Sequence, residues 1–163
     1  QEKIKEKLNA KIIGRNIIYF KEINSTQKKA KELAKENIDN GTIIIADKQT
    51  NGIGTHDRKW YSEEGKNILF TLILYPKCKI NKLNELTIDI AKCIVAVMDY
   101  KYGIKLNIKQ PNDIVFNNKK IGGILTQTLT SGEQIKYLLI GIGLNVNQTE
   151  FDEEIQDIAS SIK

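Results

Sequence analysis

Two lysines frame the stretch of this chain with the most obvious chemistry, Lys109-Gln110-Pro111-Asn112-Asp113 followed by Lys120-Ile121-Gly122-Gly123-Ile124-Leu125. A lysine ammonium near a strand end can meet a phosphate-like anion. The adjacent glycines Gly122 and Gly123 let backbone approach such a ligand closely. The Asp113 carboxylate is the kind of oxygen ligand that magnesium takes. Together these residue types describe a site for activating a carboxylic acid with ATP. A polar hairpin with two surface lysines fits the same segment equally well, so the rest of the chain has to decide.

The elements around this segment can be read from periodicity. Residues 2–9 read as a short charged helix or linker, and 16–23 as a strand. Asn24-Ser25-Thr26 supplies caps for a helix over 26–36 with Ala30, Leu33 and Ala34 on its apolar side. Thr42 to Ala46 is β-branched and apolar after its first residue, which predicts a buried strand. Residues 47–66 show little periodicity and contain Gly52, Gly54 and Gly65, so they form a long loop of the kind that is often functional. A strand follows at 67–75. Leu83, Leu86, Ile90, Ile94, Val97 and Met98 recur at helical spacing and predict a helix over 81–102 ended by Gly103, with this stripe and Cys93 facing the core. Strand pieces at 104–109, 113–116, 120–129 and 134–142 are separated by turns at Asn117-Asn118 and Ser131-Gly132. From Glu150 a further helix begins. Hairpin-joined strands with two inserted helices predict an α+β domain: a mixed, largely antiparallel sheet covered by helices on one face.

Bulk properties exclude several classes. At 163 residues one domain with a real core is expected. No apolar run reaches the roughly 18 residues that a membrane span needs. The first residues are charged and polar, unlike a signal peptide, and the chain begins with Gln, as an internal fragment would. Cys78 and Cys93 are the only cysteines and His56 the only histidine, so zinc is not expected and free thiols in a reducing cytoplasm are. The net charge of +5 suits an anionic ligand without indicating nucleic acid. No Walker-type loop is present, and Gly52-Ile53-Gly54 is too short for a dinucleotide fingerprint.

From about Ile13 to Ser161 the ordered motifs resemble the catalytic domain of biotin–protein ligases (biotin–[acetyl-CoA-carboxylase] ligases), whose fold is shared with lipoate ligases and is similar to that of class II aminoacyl-tRNA synthetases. The family's Ser-Thr-Asn appears as Ser25-Thr26-Gln27. Its Gln-Thr-x-Gly-Arg-Gly-Arg-x-Gly-Arg-x-Trp loop appears as Gln49-Thr50-Asn51-Gly52-Ile53-Gly54-Thr55-His56-Asp57-Arg58-Lys59-Trp60. Its Lys-Trp-Pro-Asn-Asp is Lys109 to Asp113, its Lys-x-x-Gly-Ile-Leu is Lys120 to Leu125, and its Gly-x-Gly-x-Asn is Gly141 to Asn145. The resemblance implies biotin and ATP as substrates, giving biotinyl-AMP and then an amide on a lysine of a biotin carboxyl carrier domain of a carboxylase. It implies catalytic roles for Lys109, Lys120 and Arg58. Ser25, Thr26 and Gln49 would hold the ureido end of biotin, and Gln27 would belong to the same ligand site. The loop with Gly52, Ile53, Gly54 and Thr55 would close over the adenylate, and Trp60 would pack on adenine. Asn112, Gly122 and Gly123 would complete the ligand site, and Asp113 and Asn145 would support magnesium.

The domain organisation implied is a linker or N-terminal helix over 1–12 and a catalytic domain over 13–163. The family's N-terminal winged helix and C-terminal β domain have no room within this chain. A cytoplasmic location follows, with no role for nucleic acid or membrane, and a homodimer is compatible. Departures keep two alternatives open. Ile53 and Thr55 stand where the family has arginines, Asp57 replaces a glycine, Gln110 a tryptophan, Gln127 a glutamate and Gln27 an asparagine. A ligase-like protein with impaired catalysis, binding biotin as a sensor or partner module, fits those changes. So does a ligase-fold enzyme for lipoate or octanoate.

Overall fold

The computed structural model describes residues 11–163, the Asp57 side chain excepted. Apart from Lys11 and Ile12, the linker or helix expected over 1–12 lies outside the described residues. The chain forms β1 (Ile17–Ile23), α1 (Thr26–Lys35), β2 (Ile43–Gln49), β3 (Gly52–Ile53), β4 (Lys59–Trp60), β5 (Asn67–Leu74), α2 (Leu86–Tyr102), β6 (Asn107–Lys109), β7 (Asp113–Phe116), β8 (Lys119–Ser131) and β9 (Gln134–Asn145). Short 3₁₀ turns occupy Thr55–Asp57 and Ile80–Leu83.

One seven-stranded sheet runs in the order β1-β2-β5-β9-β8-β7-β6, and β3 pairs with β4 as a separate two-stranded ribbon. Every neighbour pair of the large sheet is antiparallel except β1 with β2. A parallel pair needs a crossover, and α1 supplies it. The α+β class and the mixed, largely antiparallel sheet are therefore as expected. Asn117 and Asn118 both take positive φ, 49° and 64°, which is the primed turn that a two-residue hairpin favours. Gly103 caps α2 in the left-handed region at φ 66°.

The helices do not share one face of the sheet. Consecutive strand residues point to opposite faces. Leu139 and Ile73 pack with Ala30 and Ala34 of α1, whereas Leu138 and Leu72 pack with Ala91 of α2. On β8, Gln127 bonds to Gln27 of α1 while its neighbour Thr126 bonds to Thr87 of α2. Apolar side chains on both faces of β5 and β9 require two covers, and the near-continuous apolar runs of those strands carry that information.

Three further expectations differ from the structure. The helix expected from 81 starts at Leu86, because Ile80 N donates to Glu133 O at 2.9 Å and ties the preceding turn to the β8–β9 hairpin. Within α2 the sheet-facing stripe runs through Leu86, Ile90, Ala91, Ile94, Val95 and Met98, leaving Cys93 and Val97 exposed on the far side. The segment after Glu150 winds into turns rather than a helix. Its end is captured by backbone bonds, with Lys120 N donating to Ile158 O at 2.8 Å and Ser160 N to Lys120 O at 2.9 Å.

Candidate functional site

A cleft lies on the α1 face of the sheet, at the helix N-terminus and beneath the β3–β4 ribbon. Its floor is β9 and β8, and two glycines make the depression. A Cβ on Gly141 would stand 2.6 Å from Gln27 Oε1, and one on Gly143 would stand 2.6 Å from two indole carbons of Trp60. Any larger residue would push α1 or the indole off the sheet. Trp60 thus lies over bare backbone, its indole spanning the cross-strand pair Gly143 and Gly123. Its indole Nε1 is buried without a hydrogen-bond partner. Such an orphan donor costs about 1–3 kcal/mol unless a ligand or water accepts from it.

One end of the cleft is neutral and polar. Ser25 caps α1, its Oγ accepting from Lys28 N at 3.4 Å. The next N–H, on Thr26, donates to Gln49 Oε1 at 2.7 Å, and the Thr26 hydroxyl reaches the same oxygen at 3.0 Å. With both lone-pair directions of Oε1 taken, Gln49 offers its amino group to the cleft. The other end is cationic. Lys120 Nζ sits 5.7 Å from the Trp60 ring centroid and 2.7 Å from Asp113 Oδ1. The two form a close ion pair, partly shielded from solvent. An incoming anion therefore competes with Asp113 for a cation already on the cleft wall. Leu125 and the bare backbone of the paired glycines form the middle, whereas the side chains of Ile124 and Ile142 turn to the other face and pack in the cluster with Ala91 of α2.

Of the residues singled out from sequence, Thr26, Gln27, Gln49, Ile53, Gly54, Thr55, Trp60, Asn112, Lys120 and Gly123 line this cleft together. Ser25, Gly52, Asp113 and Gly122 stand immediately behind it, supporting residues that do. Lys109 and Arg58 are exposed and do not line it, although Lys109 on β6 is the cross-strand partner of Asp113 on β7. Asn145 is buried away from the cleft. Its Oδ1 accepts from Asn67 Nδ2 at 2.8 Å and its Nδ2 donates to Ser160 O at 3.0 Å, so both ends of the amide are engaged in tying the chain end to the sheet. Missing from the sequence reading are Thr71, Phe70 and the contacts of Gly141 and Gly143. A lone threonine inside an apolar strand looks like any β-branched strand residue, which is why Thr71 gave no signal.

The model of the biotin/lipoate A/B protein ligase family matches residues 19–145. The chain belongs to that family. It is 42% identical over 164 residues to the bifunctional ligase/repressor BirA of Bacillus spizizenii, covering 99% of this chain and 50% of that protein. It is 28% identical over 154 residues to the human biotin–protein ligase, covering 89% of this chain and 21% of that one. Among solved structures it superposes on the Aquifex aeolicus biotin protein ligase in complex with biotin and ATP, with a TM-score of 0.72, 35% identity, and coverage of 91% of this chain and 60% of that one. The Leishmania major biotin protein ligase with biotinyl-5-AMP gives a TM-score of 0.68 at 26% identity, covering 91% and 63%. The chain thus spans about half the length of the BirA proteins it matches.

Within this ligase family framework, two departures meet in space. Gln27 Nε2 donates to Gln127 Oε1 at 3.1 Å, so the residues replacing the family's asparagine and glutamate are partners. The altered loop is less self-contained. Ile53 and Thr55 line the cleft with neutral groups, and Gly54 N donates to Arg58 O at 2.7 Å to close the turn. Tyr61, next to Trp60, donates to Glu154 at 2.8 Å, which raises the phenol above its usual range and pins β4 to the C-terminal turns.

Proposed function

We propose that this chain is the catalytic part of a biotin–protein ligase. The observation that carries the reading is the polarity of the cleft: Gln49 and Thr26 at one end, an apolar middle under Trp60, and Lys120 at the other. That sequence of environments suits an acid with a polar ring head, an apolar body and a carboxylate. The carboxylate oxygen attacks the α-phosphorus of ATP, and the bond to the leaving pyrophosphate breaks. Lys120 exchanges Asp113 for the negative charge developing there. A carrier-domain lysine then attacks the acyl carbon, and AMP leaves with the electron pair. The acceptor, on this reading, is a biotin carboxyl carrier domain of a carboxylase. The test is biotin-dependent pyrophosphate release, followed by label transfer to such a domain; lipoate equalling biotin as substrate would overturn the assignment.

The described residues do not fit a protein-built magnesium site. Asp113 is paired with Lys120, the Asn145 amide is occupied, and no group of three or more His, Cys, Asp or Glu is placed to hold an ion among the described residues. Magnesium on this reading arrives as part of Mg-ATP. We place the protein in the cytoplasm on its two free thiols. No described helix is long and apolar enough to cross a membrane.

Gln49→Ala is expected to weaken biotin binding more than tenfold in calorimetry, because it removes the presented donor and leaves the Thr26 N–H without its acceptor. An unchanged affinity would take Gln49 out of the site.

A second reading, a biotin-binding protein with weak ligase activity, is favoured by Ile53 and Thr55 in the cleft wall. Two missing arginines forgo charge-assisted bonds of about 1.5–3 kcal/mol each. Ile53→Arg with Thr55→Arg is expected to raise the fraction of biotinyl-adenylate that stays bound after mixing with biotin and Mg-ATP. Adding Asp57→Gly is expected to raise it further by removing a carboxylate from the loop. Equal retention in wild type and both variants would remove the loop change as a cause of weak activity.

A further inference from the structure

By strand alternation alone, Lys120 would face away from the cleft. Side chains of a regular strand point to opposite faces in turn. On β8, a Cβ at Gly123 would meet Trp60 at 3.1 Å on the cleft face, whereas one at Gly122 would meet Leu144 at 2.9 Å on the α2 face. Unbroken alternation then puts Ile121 in the cleft and Lys120 beneath α2. The structure has the reverse. Ile121 is wholly buried with Leu144 and Ile114, and Lys120 lines the cleft.

A β-bulge makes the difference. Val115 pairs with Lys120 and Ile114 with Gly122, so Ile121 has no partner on β7. One extra residue reverses the alternation and re-aims the side chain beyond it. Burial of Ile121 thus decides which face Lys120 takes. It does not fix where on that face the lysine stands, because a bulge disrupts the ladder that would hold the backbone. Nor does β9 hold it: the pairing of β9 with β8 stops at Leu144 with Gly122.

The returning chain end supplies the missing support. It meets β8 at a single parallel bridge, Ala159 with Lys120. There the Lys120 N–H donates to Ile158 O at 2.8 Å, and the Ser160 N–H donates to Lys120 O at 2.9 Å. Lys120 has one N–H, and it is given to the chain end. The Ser160 carbonyl is tied in turn to the last residue of β9, through Asn145 Nδ2 at 3.0 Å. We infer that Ser160 is a positioning residue for Lys120, acting through its backbone N–H to clamp the bulge that presents the ammonium to the cleft. This role rests on the biotin-ligase reading, in which Lys120 meets the reacting carboxylate and α-phosphate. Charge there is effective only at a defined place, since a displacement of about 1 Å is felt in the rate.

The experiment is single-turnover, biotin-dependent pyrophosphate release by the full chain in wild type, Ser160→Pro, Ser160→Ala, Lys120→Ala and the double variant Ser160→Pro with Lys120→Ala. Proline lacks the N–H and leaves Lys120 O without its donor. Ser160→Pro is expected to slow release about tenfold, the scale of one lost hydrogen bond. Ser160→Ala keeps the N–H and is expected to stay near wild type. In the Lys120→Ala background, Ser160→Pro is expected to cost nothing further, because the clamp then has no ammonium to place. Ser160→Gly, which loosens the same backbone, replaces the proline variant should that one not fold, and the same cycle judges it. Losses that multiply in the double variant mean a structural role only and overturn the inference while leaving the ligase reading standing. So does unchanged release in Ser160→Pro, or an equal loss in Ser160→Ala. A wild type without biotin-dependent release overturns both.

Discussion

Lys120→Ala is expected to lower biotin-dependent pyrophosphate release by about 10²–10³-fold, the loss seen when one preorganised donor to a developing anion is removed. Lys120 is the cation that lines the cleft, with its ammonium 2.7 Å from Asp113 and poised beside Trp60. Biotin affinity should fall as well, since the same ammonium meets the carboxylate before ATP does. Lys109→Ala is expected to act differently. Lys109 is exposed and outside the cleft, so its charge matters mainly as phosphoryl charge develops. A loss of about tenfold in turnover with biotin binding unchanged is the expected pattern, since screening weakens an exposed charge. Single-turnover pyrophosphate release and calorimetry on the two variants separate these outcomes. Unchanged turnover in Lys120→Ala would end the mechanism proposed above, and unchanged turnover in Lys109→Ala would remove only that residue.

Gly143→Ala is the second change with a large expected effect. The new methyl would stand 2.6 Å from Cε2 and Cζ2 of Trp60, well inside contact distance. The indole can retreat only away from the sheet, because β4 is held close to β3: a Cβ on Gly52 would stand 2.7 Å from the Trp60 backbone oxygen. Overpacking of this kind costs about 1–3 kcal/mol. Here the strain is relieved by expelling the ring, so it appears as lost ligand wall. Biotin affinity is expected to drop about a hundredfold, with the melting temperature changed by only a few degrees. Trp60 is the only tryptophan of the chain, so its fluorescence reports the displacement directly. Adding Trp60→Leu to Gly143→Ala should cost far less than the product of the two single changes. Independent, multiplicative losses would show that the glycine and the indole do not share the site.

Much of this molecule could be read before any coordinates. The β-branched run at 43–45, the Asn117-Asn118 turn and Gly103 at the end of α2 are local statements. Sterics at single residues enforce them, so they survive the rest of the fold. The order of five motifs along the chain carried the family, because each motif keeps its residue types wherever the strands finally lie. The lysine at 120, the glutamine at 49 and the tryptophan at 60 were legible for the same reason.

What the sequence could not decide was which of those residues share a surface. Asn145 sits inside a motif and looks like a ligand residue, yet its amide is consumed by Asn67 and the chain end. Thr71 sits inside no motif, yet its hydroxyl joins Thr26 and Gln27 at the polar end of the cleft. The facing of the helices was also hidden: an apolar run tells that a strand is covered, but the register and pleat determine which cover each residue meets. Residue types and their local geometry were set by the sequence on its own. The partnership of Gln27 with Gln127, a hundred residues apart, and of Trp60 with Gly143 was set only when β8 and β9 closed against α1 and the β3–β4 ribbon, because long-range contacts exist only in the assembled sheet.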